Sequence, residues 1–466
     1  MKKLARLLPL VALAFSSSAL SPALATKAIA DEPKKPGDPT ITAPPDESVL
    51  GVVPVTDSGA SPPPPKLAVV PIATTSDADS VVQAVVRRDL DLTGLYDVVP
   101  STLVPDGTGD FTHDTVVDQK AWQAKGVALV VRVFATVPPS TAASATSGAA
   151  DVELTGEAYL IGKSPKAAFT KTMKSPPGDV RLSAHKMTDQ LLGALTGRLG
   201  PFASHLAYTT KVGKASPGVA TARRVFLVES DGSNAKGYSP AGDTALSPAL
   251  GPGGQWYYAL SHDYSPFRLV KGPKGTPVPL SVAGSVLGLT FSDDRSKLAV
   301  AVMDAGFEDI YVGAPDGTTP MKAMIAPPLA AHPTFGPMGR IAYVAGSSMP
   351  RVYVEKTPIS PGGFHASAPT FCDTPRGLLV IFNVGVGANA DLVATDINGG
   401  GLLRLTQNQG ANTTPACSPD GRLVAFFSTR KTGGGPGMYL MPISSPWRSQ
   451  RISTEMGESL AWEMDP

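Results

Sequence analysis

Pro415-Ala416-Cys417-Ser418-Pro419-Asp420-Gly421-Arg422-Leu423-Val424-Ala425 reads as a strand, a tight turn and a second strand. Pro-Asp-Gly supplies the backbone angles of a hairpin, and apolar residues flank it on both sides. The pattern recurs. Pro333-Thr334-Phe335-Gly336-Pro337-Met338-Gly339-Arg340-Ile341-Ala342 is a shortened copy. Ser247-Pro248-Ala249-Leu250-Gly251-Pro252-Gly253-Gly254, Leu289-Thr290-Phe291-Ser292-Asp293-Asp294 and Pro369-Thr370-Phe371 are degenerate copies, and Leu460-Ala461-Trp462-Glu463 is a half-copy at the end. Aligning the bulky slot gives Leu250, Phe291, Phe335, Phe371, Cys417 and Trp462, separated by 41, 44, 36, 46 and 45 residues.

A period near 40–45 residues with about four short strands per unit is the spacing of propeller blades. Each copy supplies an innermost strand, whose bulky residue packs between neighbouring blades. Six inner strands predict a six-bladed, all-β propeller over residues 201–466. The sixth blade has only its inner strand at the C-terminus, so its partners are expected from His205–Thr209 and Arg224–Val228. Joining the two ends in one sheet closes the ring and leaves no exposed edge there.

Residues 66–200 differ in character. Leu67-Ala68-Val69-Val70-Pro71 is a β-rich run, and Ser76 or Asp77 can cap a helix whose Val82, Val85, Val86 and Leu90 share one face. A second helix carries Trp122, and a third is marked by Ala184, Met187, Leu191 and Leu195. Alternating strands and helices predict a separate α/β domain. Ahead of it, residues 26–65 hold ten prolines and read as a flexible tail, interrupted by the apolar island Val49-Leu50-Gly51-Val52-Val53-Pro54-Val55. At the start, Lys2, Lys3 and Arg6 precede an apolar run that ends at Ala23-Leu24-Ala25, the pattern of a cleavable signal over residues 1–25.

The remaining composition narrows the function classes. A formal charge of +1, from 40 basic and 39 acidic residues, offers no electrostatic footprint for nucleic acid. No later stretch has the ~18 apolar residues of a spanning helix, so a monomeric protein released after export is expected. Cys372 and Cys417 are the two cysteines. They align one position apart on their inner strands, hence on opposite faces, and are expected to be unbonded core thiols. No Gly-x-Ser-x-Gly nucleophile elbow occurs, and His113, His185, His205, His262, His332 and His365 are scattered without metal-ligand spacing. Asp293-Asp294 falls at a turn of the repeat. No catalytic residue, metal site or cofactor is expected.

The order of signal, tail, small α/β domain and six-bladed propeller of Ser-Pro-Asp-Gly repeats resembles the TolB family. Closer echoes are Leu67-Ala68-Val69-Val70-Pro71-Ile72, Ala121-Trp122-Gln123-Ala124-Lys125-Gly126, Leu206-Ala207-Tyr208 and Leu460-Ala461-Trp462. The resemblance implies a periplasmic, non-enzymatic scaffold of the Tol-Pal envelope system, supporting outer-membrane integrity and cell division. It implies two partners: a Pal-like peptidoglycan-associated lipoprotein on the propeller and a TolA-like inner-membrane protein on the tail. The propeller contacts are expected in loops entering the inner strands, at Ser285, Gly288, Ala331, His332, Asn412 and Thr413. The tail contacts are expected at Val52, Val53, Val55, Asp57, Ser58 and Gly59. The alternative readings are a propeller-bearing envelope hydrolase, peptidase or glycosidase, and an outer-membrane assembly scaffold.

Overall fold

The computed structural model of the protein describes residues 47–50, 63–106, 110–137, 151–213, 222–263, 265–317 and 319–464. The expected signal segment and most of the tail therefore lie outside the described residues.

The α/β domain is a five-stranded sheet with helices packed against it. Its strands are β1 (Lys66–Val69), β2 (Asp97–Val98), β3 (Leu129–Thr136), β4 (Val152–Leu160) and β5 (Phe169–Ser175), in the order β2-β1-β3-β4-β5. β1 lies parallel to β2 and β3, and the other pairs are antiparallel. Helix α1 (Asp77–Leu92) starts where Ser76 Oγ accepts the Asp79 N–H, which satisfies one orphan donor of the first turn. Its Val82, Val85, Val86 and Leu90 are fully buried. The short α2 (Gln119–Ala124) buries Trp122 on the other face of the sheet, among Ala68, Val70 and Val130. Helix α3 (Val180–Thr196) packs beside α1 and stops at Gly197, which takes the left-handed conformation.

Beyond it stand six four-stranded sheets arranged as propeller blades. Their inner strands are Thr244–Leu250, Ser285–Phe291, Ala331–Phe335, Ala366–Thr374, Asn412–Cys417 and Glu458–Glu463, for blades 1 to 6. In blade 6 the inner strand Glu458–Glu463 pairs with His205–Lys211, which continues to Arg223–Glu229 and Lys236–Gly237. The chain's last strand and the propeller's first thus share one sheet. The Ser418-Pro419-Asp420-Gly421 turn shows why the repeat has its residues. Asp420 Oδ1 accepts from Ser418 Oγ at 2.6 Å and Arg422 N at 3.1 Å, while Ser418 Oγ accepts from Leu423 N at 2.9 Å. Gly421 sits at φ +72°, and a Cβ there would fall 1.9 Å from the Asp373 carbonyl oxygen of blade 4.

The two cysteines correct the sequence expectation. Cys372 and Cys417 form a disulfide, with Cα atoms 5.4 Å apart. They do sit on opposite faces of their own blades, but adjacent blades stack face to back. Opposite faces of blades 4 and 5 therefore meet in one cleft, where Cys372 packs with Val424, Phe426 and Cys417. The tail holds a second departure: Glu47–Leu50 forms a 3-10 turn whose Leu50 is fully buried among Val354, Ile359 and Phe364. Burial of Leu50 beside the seam of blades 3 and 4 contributes about 1.5–3 kcal/mol toward holding this turn.

The α/β domain is anchored on the face where inner strands end. Arg198 Nη1 donates to the Asp373 and Asp420 carbonyls at 2.6 and 3.1 Å, and Arg422 Nη2 donates to Thr196 Oγ1 at 2.6 Å. Arg448 reaches the Gly94 carbonyl at 2.9 Å, and Arg181 pairs with Glu229 and Asp231. The core runs continuously from Leu90 and Leu192 through Phe202 to Phe427 and Trp462. The linker itself is held by Asp189, whose two carboxylate oxygens accept the N–H groups of Phe202 and Ala203 at 2.8 and 2.7 Å.

Candidate partner-binding face of the propeller

Each inner strand carries a register shift near its middle. In five blades a non-glycine residue takes positive φ there: Ser247 (50°), His332 (49°), Ala368 (51°), Thr414 (48°) and Ser459 (55°). Each lies three residues before its bulky slot, where blade 2 has Gly288. Pro248, Pro333, Pro369 and Pro415 follow directly in four blades. The innermost strand is the free edge of its sheet, so a proline without an N–H is tolerated there. Together these six positions ring a central channel of about 280 Å³, to which every blade contributes lining.

Ser285, Ala331 and Asn412 are the first residues of their inner strands, and Gly288, His332 and Thr413 lie within them. This corrects their placement in loops. The proline marks the bulge, and the strand has already begun before it. Strand direction sets these residues on the face away from the α/β domain, since the domain sits where inner strands end. Within that face their roles divide. His332 is exposed, Ser285, Ala331 and Thr413 are half-buried, and Gly288 and Asn412 are buried. The His332 imidazole opens to channel solvent, while the surrounding protein mass lowers its pKa.

Asn412 is a structural residue. Its Nδ2 donates to the Ala390 and Gly410 carbonyls at 3.1 and 3.3 Å, and its Oδ1 accepts from Ser428 Oγ at 2.8 Å and Arg430 Nη2 at 3.4 Å. With its polar atoms engaged inside the blade, it has nothing left to offer a partner. Ser285 Oγ likewise accepts the Phe267 N–H at 3.0 Å. A Cβ on Gly288 would stand 3.3 Å from Pro333 Cδ, so this position sets the approach of blades 2 and 3. What sequence reasoning missed is the ring itself: Ser247, Ala368, Thr414 and Ser459 belong with His332. Its signal was the X-Pro step three residues before the bulky slot.

At the opposite end, Arg295 of blade 2 reaches Glu463 of blade 6 at 2.7 Å, bridging past blade 1. Burial raises the Glu463 carboxyl's pKa and the Arg295 charge opposes this. Asp293-Asp294 is a turn: Asp294 accepts from Ser292 Oγ, Ser296 N and Ser296 Oγ, bonds that hold its carboxyl at about 2. Apart from His332, Glu458 and Glu463, the residues that line the channel are uncharged. The expected tail contacts Val52, Val53, Val55, Asp57, Ser58 and Gly59 lie outside the described residues. Among the described residues no helix is long and apolar enough to cross a membrane.

Residues 52–152 match the family model described as the TolB amino-terminal domain. A Tol-Pal system protein TolB of Geobacter metallireducens is 30% identical over 139 residues, covering 30% of this chain and 28% of that protein. One from Anaeromyxobacter sp. (strain K) is 26% identical over 280 residues, covering 57% of this chain and 56% of that protein. The chain thus spans between about a quarter and just over half the length of these relatives. The crystal structure of TolB from Acinetobacter baumannii superposes at a TM-score of 0.68 with 20% identity, over 86% of this chain and 96% of that one, which is a likeness of fold. In its amino-terminal domain, its curated relatives and its six-bladed architecture, the chain is similar to the TolB family.

Proposed function

We propose that this protein is an exported, non-enzymatic scaffold of the Tol-Pal envelope system, working in the periplasm as a monomer with two separable partners. The propeller face away from the α/β domain receives a Pal-like peptidoglycan-associated lipoprotein, centred on His332 and Ala331 at the channel mouth. The tail around Val52–Gly59 engages a TolA-like inner-membrane protein, and the pair of contacts supports outer-membrane integrity and cell division. The observation that carries this reading is the rigid channel mouth, left open on the side away from the α/β domain. Similarity to the TolB family supports the choice of system, and the Cys372–Cys417 disulfide fits an oxidising compartment. A domain-free face on a rigid ring suits recognition, because little conformational entropy is lost when a partner docks. The test is a pull-down with the mature chain from solubilised envelope. Recovery of a peptidoglycan-bound lipoprotein, lost on His332→Glu together with Ala331→Glu, is the expected result. Recovery undiminished by both changes would contradict the placement.

A further inference from the structure

Where α1, α3 and the propeller meet, three ionisable side chains are brought together from distant parts of the chain. Asp89 comes from α1, His185 from α3, and Asp231 from the turn after the propeller strand Arg223–Glu229. One donor atom of each lies within 4.8 Å of the others, and all three residues are buried. His185 Nδ1 and Asp89 Oδ2 are 2.8 Å apart. That leaves His185 Nε2 and Asp89 Oδ1, both buried and both without a hydrogen-bond partner. Glu229 Oε2 stands 3.6 Å from Nε2, too long for a hydrogen bond. An imidazole lone pair facing a carboxylate across such a gap is repulsive unless a proton or a metal cation lies between them.

The charge count points the same way. Asp89, Glu229 and Asp231 bring three negative charges, against one from the guanidinium of Arg181, which pairs with the last two. With a neutral imidazole, two negative charges remain among these buried residues. A divalent ion balances them. One imidazole nitrogen with carboxylate oxygens is a donor set of zinc and its neighbours, and Arg181 would act from outside by orienting the carboxylates.

We propose that Asp89, His185 and Asp231, with Glu229 as fourth donor, bind a divalent transition-metal ion of the zinc class that clamps the α/β domain onto the propeller. The ion takes the place of a proton on His185, so binding strengthens as pH rises.

The test uses the mature full-length chain, stripped with a chelator and dialysed against Zn2+ alone or Co2+ alone. The expected result is one Zn2+ retained per chain, a raised melting temperature, and the visible absorption band of four-coordinate Co2+. His185→Gln should weaken binding by more than the about 10–100-fold typical of losing an outer-shell partner. His262, exposed beside Asp243 at 2.6 Å and Asp263 at 3.2 Å, is the obvious adventitious ligand, and His262→Ala should leave binding intact. The Co2+ spectrum is read on the unaltered protein, so it does not depend on any variant folding. Absence of both bound Zn2+ and the Co2+ band, or loss of binding with His262→Ala rather than His185→Gln, overturns the proposal.

Discussion

Trp462 Nε1 donates a hydrogen bond to Ser204 Oγ at 2.7 Å, across 258 residues of sequence. Trp462 stands on the chain's last strand and Ser204 at the entry to the first propeller strand, so this bond ties the ring where its two ends meet. The indole is also part of the core shared by the α/β domain and the propeller. Trp462→Ala should therefore cost about 3–5 kcal/mol, the range for emptying a buried aromatic site. Trp462→Phe keeps most of the volume and loses the bond, about 1 kcal/mol. Denaturant unfolding followed by circular dichroism separates the two, and equal losses would show that the bond rather than the packing dominates.

The inter-blade disulfide gives a direct chemical prediction. Alkylation of the native protein should label no thiol, and an unreduced peptide map should contain the Cys372 and Cys417 peptides joined. Cys417→Ser should lower stability by about 2–4 kcal/mol, since the bridge closes a loop of 45 residues. Two labelled thiols would contradict it.

Asp189 makes the domain junction sensitive to pH. Burial pushes its carboxyl up to about 7, against the lowering effect of the Ala203 and Phe202 N–H groups. A carboxyl whose folded pKa exceeds its unfolded value favours folding while protonated. Its contribution is full below about pH 4 and is lost as pH rises through about 7. Asp189→Asn should flatten the fall in melting temperature between those limits. It should also lower the value at pH 4, because an amide has one acceptor oxygen for two N–H donors. An unchanged slope would mean that Asp189 does not titrate in this range.

Gly421 is the glycine whose replacement should be felt most. Alanine there meets both a left-handed backbone and the Asp373 carbonyl, so Gly421→Ala should destabilise by at least about 2 kcal/mol. Gly253→Ala meets the same backbone constraint at φ +70° with open space around it, and should cost about 1–2 kcal/mol. Comparable losses at the two sites would remove the role given to inter-blade contact.

The repeat made the six inner strands legible, because the bulky slot and the turn residues answer to local geometry that recurs in every blade. The faces were harder. Alternation along a strand correctly set Cys372 and Cys417 on opposite sides, but only the stacking of blades turns opposite sides into neighbours. Asn412 reads as a loop residue from its place three residues ahead of Pro415, yet the strand begins at Asn412 and the proline lies at a bulge inside it. Asp89, His185 and Asp231 carry no local signal at all. They are separated by 96 and 46 residues and meet only when the domain docks on the propeller.

The central claim is that one rigid propeller face and one separate tail segment serve two partners. Calorimetry of the mature chain with a purified peptidoglycan-associated lipoprotein tests it most directly, using a deletion of residues 49–61 and the paired changes His332→Glu and Ala331→Glu. An unpaired charge buried at an interface costs about 2–5 kcal/mol, so the paired changes should weaken binding by at least about thirtyfold. The deletion should leave lipoprotein affinity unchanged. Loss of lipoprotein binding on deleting the tail, as complete as with the charged face, would contradict the two-site account.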